Sequence, residues 1–382
     1  MDRLILSGAR IFDGAQVFED HALVVCAGRI AALLPEAEAP EGQTLRLAGG
    51  LLAPGFVDLQ VNGGGGVMLG GEDPLAEIAT ICAAHASLGT TSVLPTLITA
   101  SAATTRRVLA AGVAAVGRVP GFLGLHLEGP HLDPRRPGCH PPEHIRPMEE
   151  EDLLTLCEAR AGLPALMVTL APASVSPAQI ARLSEAGLVV FLGHAECSLA
   201  EAAAAARAGA CGVTHLFNAM SQLGAREPGL VGAALSLPLA AGLIADGIHV
   251  APETAQLALR LAGERIFLVS DAMAPAGTEL TEFTLAGRRI LRRAGALRTE
   301  AGTLAGADLT LPEAVRFCIE RLGVAPGQAL AMATARPAQV IGAPVGRLAP
   351  GLAADLVHLT AAGGLARVWQ GGEALQAKSA SA

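Results

Sequence analysis

Glu128, His194, His215 and Asp271 each close a short apolar run, in the strings Gly-Leu-His-Leu-Glu128, Val-Val-Phe-Leu-Gly-His194, Gly-Val-Thr-His215 and Ile-Phe-Leu-Val-Ser-Asp271. One carboxylate and two imidazoles form the kind of three-ligand set that leaves a coordination position for water on a catalytic zinc. A divalent ion held there lowers the pKa of a water to about 7 and polarises a carbonyl. Asp271 adds a carboxylate able to take that water's proton and deliver it to a leaving amine. Taken singly, each residue has an ordinary role: an ion-paired Glu, a packed strand-end His, an Asp capping a helix. In a chain with only 16% charged residues, four titratable groups at four strand ends would be costly as packing alone. Together they point to metal-assisted hydrolysis.

Something must bring these residues together. Eight apolar runs suit buried parallel strands, at 55–60, 91–97, 122–128, 165–170, 188–193, 212–215, 242–246 and 266–271. Their lack of strict alternation is expected where both faces of a sheet are covered. Ala- and Leu-rich stretches at 74–87, 102–116, 149–159, 199–208 and 252–261 are the helix candidates between them. The fold class is α/β, a (β/α)8 TIM-type barrel whose strand ends build one pocket. An open doubly wound sheet fits less well, because no GxGxxG follows the first strand and the reactive residues spread over strands 3, 5, 6 and 8. Short strands punctuated by Asp13-Gly14, Gly28, Gly49-Gly50 and Gly371-Gly372 occupy both chain ends. The two ends are expected to pair as a small β-sandwich domain, 1–53 with 345–382, leaving 54–344 as the barrel.

The net charge of -8 and the lack of a Lys/Arg stripe exclude a polyanion binder, so nucleic acid is not an expected partner. A small anionic substrate needs only one or two placed cations. Seven cysteines without a CxxC pair read as reduced thiols. The N-terminus lacks the pattern of a signal peptide. Uncharged stretches such as 230–245, which contains Pro238, are shorter than the roughly 20 residues of a membrane span. Cytoplasmic location with no membrane association is expected.

Two absences bear on metal number. Gln60-Val61-Asn62 stands where a binuclear site wants His-x-His, and Leu170-Ala171-Pro172 offers no Lys to bridge two ions. Carboxamides are poor ligands beside imidazole or carboxylate, so one metal is expected. Arg226 and His249 can hold a phosphate or carboxylate, and His140 can polarise a carbonyl. Asn62 with Gly63 to Gly66 lacks the Lys-Ser/Thr of a P-loop and reads as a close-approach loop.

The strings Pro54-Gly-Phe-Val-Asp58, Leu125-His-Leu-Glu128-Gly-Pro130, Thr214-His215-Leu-Phe-Asn218-Ala219-Met220, Asp246-Gly-Ile-His249 and Ser270-Asp271-Ala-Met-Ala-Pro resemble the N-acetylglucosamine-6-phosphate deacetylase family of the amidohydrolase superfamily. The likeness covers nearly the whole chain. It implies hydrolysis of the acetamido group of a 6-phosphorylated amino sugar in amino-sugar catabolism. By matching motifs, Glu128, His194 and His215 would hold one divalent ion per subunit, zinc first, with Fe2+, Mn2+ or Co2+ as alternatives. Asp271 would be the acid/base. Cys139, Asn218, Ala219, Arg226, His249, Leu304, Ala305 and Gly306 would line the sugar-phosphate site. The resemblance also implies a homodimer in which Arg226 reaches the neighbouring site. Ala173, Ala195-Glu196-Cys197 and Ala307 depart from the family pattern and bear on the choice between N-acetylglucosamine 6-phosphate and its galacto epimer. Another acylated amine or a cyclic amide is a rival substrate, and a catalytically silent sugar-phosphate sensor is the rival outside enzymes.

Overall fold

The computed structural model describes residues 3–377, so positions 1–2 and 378–382 of the expected sandwich segments lie outside the described residues. Eight parallel strands hydrogen-bond in chain order: Val57–Val61, Ser92–Ile98, Leu125–Glu128, Leu166–Leu170, Val189–Leu192, Gly212–Val213, Ala240–Leu243 and Ile266–Leu268. The sheet closes where Val61 bridges Ala272 in parallel. At that seam Asp271 N–H donates to Gln60 O at 3.1 Å and Asn62 N–H to Ala272 O at 2.8 Å. The result is a (β/α)8 barrel. Its first and fourth strands are buried at every position, as expected where both faces of a sheet are covered.

Helices follow the strands, and local chemistry starts them. The side chains of Asp73, Ser101, Ser176 and Ser198 accept backbone N–H groups of their helices' first turns. Ser176 with Gln179, Ser198 with Glu201 and Thr310 with Glu313 form reciprocal capping boxes. These caps fix where each helix departs from its loop, and so how the loop lies over the barrel mouth.

The last three strands end earlier than expected, at Val213, Leu243 and Leu268. The backbone leaves the extended region before the reactive side chains: φ is 30° at His215 and 51° at Asp271, and it is 46° at His194 one strand earlier. A left-handed conformation at a residue with a Cβ costs about 1–2 kcal/mol and clusters at functional sites. Here it turns each side chain off its strand towards the barrel axis.

Both chain ends form a small sandwich. Leu51–Pro54 pairs antiparallel with Leu356–Leu359, joining the N-terminal strands to the C-terminal ones in a six-stranded sheet. A four-stranded sheet faces it across a core that includes Leu6, Ile11, Leu23, Leu52, Leu356 and the single tryptophan, Trp369. A further four-stranded sheet was not expected from the sequence. Glu282–Leu285, Arg288–Arg293, Ala296–Thr299 and Leu304–Ala307 form an antiparallel meander between the eighth barrel strand and the helix Leu311–Glu320. Its tight turns, Ala286-Gly287 and Ala294-Gly295, carry paired positive φ values (48° and 75°, 50° and 71°), the geometry of a two-residue hairpin loop. Met273, Leu285, Ile290, Leu297 and Ala305 give it a core of its own.

Candidate active site

Glu128, His194 and His215 meet over the C-terminal end of the barrel. His215 Nε2 lies 2.9 Å from Glu128 Oε1, His194 Nε2 lies 3.1 Å from the same oxygen, and the two Nε2 atoms are 3.1 Å apart. A tetrahedral site with ligands at about 2.0 Å has edges of roughly 3.3 Å, so the triangle is close to the size a small divalent ion demands. Among the described residues, this is the one group of three or more His, Cys, Asp or Glu side chains that could hold a metal.

The donor set fits a cation. His194 Nδ1 is 2.8 Å from the carbonyl oxygen of Arg136, an acceptor only, so the ring proton resides on Nδ1. Burial lowers the His194 pKa to about 4, helped by nearby His140, and the ring is neutral. Its Nε2 lone pair therefore faces a carboxylate oxygen and a second imidazole nitrogen. Such a cluster of lone pairs is repulsive without a cation or a shared proton at its centre. Burial opposes ionisation of Glu128, yet the hydrogen bonds it accepts from His140 and His215 outweigh it and hold the carboxyl well below its ordinary range. Burial also lowers His215, but its bond to Glu128 overrides this and raises the ring above 6.5. A metal arriving here displaces the proton shared by His215 and Glu128.

Asp271 stands beside the trio. Its Oδ1 accepts from Asn62 Nδ2 at 2.6 Å and from Gln60 Nε2 at 3.1 Å. Burial pushes its pKa up to about 6, with the charge on Glu128 acting in the same sense. His140 has a fixed tautomer: its Nδ1 accepts the backbone N–H of Thr99 at 3.2 Å, so Nε2 carries the proton and lies 3.6 Å from Glu128 Oε2. That makes it an N–H donor at the site. His249 Nδ1 donates to Asp246 Oδ2 at 2.6 Å, and Asp246 Oδ1 accepts the N–H groups of Ile248 and His249 at 2.8 Å.

One cavity of about 380 Å³ joins these groups. Glu128, His140, His194, His215, His249 and Asp271 line it, with Cys139, Asn218, Ala219, Leu304 and Gly306. Cys139 Sγ donates to Leu304 O at 3.0 Å, tying the loop after the third strand to the meander. Gly306, at φ 68°, passes so close that a Cβ there would sit 2.8 Å from the Asp271 carbonyl oxygen. Two expected residues lie elsewhere. Ala305 is fully buried in the meander core, and Arg226 is exposed and does not line the cavity.

Sequence reasoning passed over several neighbours. Arg135 and Arg136 also line the cavity. Arg136 pairs with Glu196, one of the residues that depart from the family pattern, and its carbonyl orients His194. Ala307 receives the close approach of the eighth strand, its N–H donating to Asp271 O at 2.9 Å. Ala173 is exposed on a turn.

Asp58 anchors the same seam from below, accepting the N–H groups of Gln60 at 3.1 Å and Ser270 at 3.0 Å. Burial pushes its pKa from 3.8 up to about 7. A raised native pKa gives stability that is complete below the unfolded value and is lost as pH rises through the native one. Metal-free wild-type protein should therefore lose stability relative to Asp58→Asn between about pH 4 and pH 7. Denaturant midpoints at acid and alkaline pH check this; the same difference at both would show that Asp58 titrates normally.

The amidohydrolase family model matches residues 51–375, and the NagA composite domain model matches residues 5–52. The chain belongs to the amidohydrolase family. It is 40% identical to the N-acetylgalactosamine-6-phosphate deacetylase of Shewanella sp. (strain ANA-3) over 379 residues, covering 97% of this chain and 96% of that protein. The N-acetylglucosamine-6-phosphate deacetylase of Pasteurella multocida superposes with a TM-score of 0.94 at 32% identity, over 98% of this chain and 99% of that one. A variant of the Mycobacterium smegmatis N-acetyl-D-glucosamine-6-phosphate deacetylase, in complex with N-acetyl-D-glucosamine-6-phosphate, superposes with a TM-score of 0.89 at 31% identity, over 98% and 99%. For this amidohydrolase the cluster of Glu128, His194 and His215 accords with the metal dependence of its family. Among the described residues, no helix is long and apolar enough to cross a membrane.

Proposed function

We propose that this amidohydrolase hydrolyses the acetamido group of N-acetyl-D-glucosamine 6-phosphate, giving D-glucosamine 6-phosphate and acetate in amino-sugar catabolism. The observation that carries this reading is the meeting of Glu128 Oε1, His194 Nε2 and His215 Nε2 within 3.1 Å of one another, in a cavity that Asp271 shares. Glu128, His194 and His215 would hold one divalent ion, zinc first and Fe2+, Mn2+ or Co2+ otherwise, which when bound would supply a Lewis acid and an acidified water. His140 donates its Nε2–H to the amide carbonyl oxygen and holds it for attack. Asp271 takes a proton as water adds to the carbonyl carbon and returns it to nitrogen as the C–N bond breaks. His249, Asn218 and Ala219 hold the phosphate, and Cys139 with the backbone of 304–306 borders the sugar.

Arg226 completes the phosphate site from a second copy, which makes the working unit a homodimer in the cytoplasm. We read 54–344 as the catalytic barrel and 1–53 with 345–382 as the segments of its sandwich, of which 1–2 and 378–382 lie outside the described residues. The Shewanella relative favours a second reading, deacetylation of N-acetylgalactosamine 6-phosphate by the same groups.

Acetate release from both phosphosugars, from unphosphorylated N-acetylglucosamine and from dihydroorotate tests the proposal. The phosphosugars should be consumed, and loss of the phosphate should lower kcat/KM by about 100-fold or more, since hydrogen bonds to a charged group contribute about 1.5–3 kcal/mol each. Turnover of dihydroorotate, or phosphosugar binding without acetate release, would overturn it.

A further inference from the structure

We propose that Gln60 and Asn62 are positioning residues that hold one oxygen of Asp271, so that only its Oδ2 exchanges protons with the reacting groups. The inference rests on the reading of Asp271 as the acid/base. A carboxylate rotates easily about its last bond, because that torsion is broad and twofold. A proton shuttle needs the opposite, one oxygen kept in line with first the water and then the departing nitrogen.

The geometry supplies the restraint. Asn62 Nδ2 donates to Asp271 Oδ1 at 2.6 Å, and Gln60 Nε2 donates to the same oxygen at 3.1 Å. Both donors come from the first barrel strand and its end, while Asp271 follows the eighth. The backbone seam that closes the barrel sets this register, through Asp271 N–H to Gln60 O at 3.1 Å and Asn62 N–H to Ala272 O at 2.8 Å. Asp58 fixes it once more by accepting the N–H groups of Gln60 and Ser270. Asp58, Gln60 and Asn62 are alternate positions, all 2% exposed or less. They share one face, as every second residue of a strand does.

Gln60 has a second bond. Its Nε2 also donates to Glu128 Oε1 at 3.2 Å, so one NH2 group spans the metal-ligating carboxylate and the acid/base carboxylate. Two carboxylates this near repel each other unless positive charge or donors lie between them. The amide fills that need without titrating and without ligating a metal well. The orientation of Asn62 follows from its neighbour, since the reversed amide would press Oδ1 against a carboxylate oxygen. Gln60 does not line the cavity, and Asn62 borders it with its Nδ2 directed at Asp271.

The test is steady-state kinetics on the zinc-loaded protein with a phosphosugar substrate. Asn62→Ala should lower kcat by about 100-fold, the loss expected for a misplaced reacting group, and leave KM within about threefold. Zinc content should remain at the wild-type level. In an Asp271→Asn background the same substitution should change residual turnover by less than about threefold, because its effect passes through Asp271. Asn62→Asp keeps the shape and removes the donor; it should lose at least as much as Ala, and it decides the matter if Asn62→Ala does not fold. Wild-type kcat in either folded variant, or an equal loss with and without Asp271, would overturn the positioning role. Wild-type turnover in Asp271→Asn alone would instead overturn the acid/base reading beneath it.

Discussion

Asp271→Asn should keep its metal and lose turnover by about 10²–10⁴-fold, the range that a placed general acid–base contributes. The substitution preserves size and leaves Glu128, His194 and His215 untouched, but a carboxamide cannot carry the proton from water to nitrogen. The pH profile gives a second reading of the same residue. Burial, together with the charge on Glu128, raises Asp271 to about 6, and a bound cation pulls in the opposite direction. The ionised form is the working one, so kcat/KM should fall on the acid side as Asp271 takes up a proton, at a pH below the metal-free value of about 6. Asp271→Asn should lack that acid limb. A wild-type profile in the variant would remove Asp271 from the chemistry.

Glu128→Gln is expected to have the other large effect, for a different reason. Two neutral imidazoles and a carboxamide form a much weaker site than two imidazoles and a carboxylate. The variant also loses the charge that holds His215 above its ordinary pKa. Zinc content after gel filtration should fall well below one equivalent, and turnover should drop by about 10³-fold or more, since the ion supplies both Lewis acid and acidified water. Excess zinc should restore only part of the rate. Full metal content together with an undiminished rate would show that the ion binds elsewhere.

The convergence of Glu128, His194, His215 and Asp271 on one cavity was legible in the sequence because each follows its own short apolar run, so local pattern and barrel topology together placed them. The roles of Gln60 and Asn62 were not. Sequence shows that they are poor ligands, but their bonds to Asp271 span 211 and 209 positions and exist only because the barrel closes. The meander at 282–307 was missed for a more local reason. In Arg288–Arg293 only Ile290 is buried, so charge hides the alternation, and the two Ala-Gly turns were the signal that could have revealed it. The pairing of Arg136 with Glu196 joins loops 60 positions apart, which no spacing rule marks. Arg226 lies on an exposed loop outside the cavity, and no local pattern marks that position.

Anomalous diffraction at the absorption edge of the bound metal, on crystals of the active zinc-loaded protein, tests the central claim most directly. One peak within bonding distance of Glu128 Oε1, His194 Nε2 and His215 Nε2 is the expected result. A peak held by other side chains, or a second peak of equal weight against Gln60 and Asn62, would contradict the single-ion site.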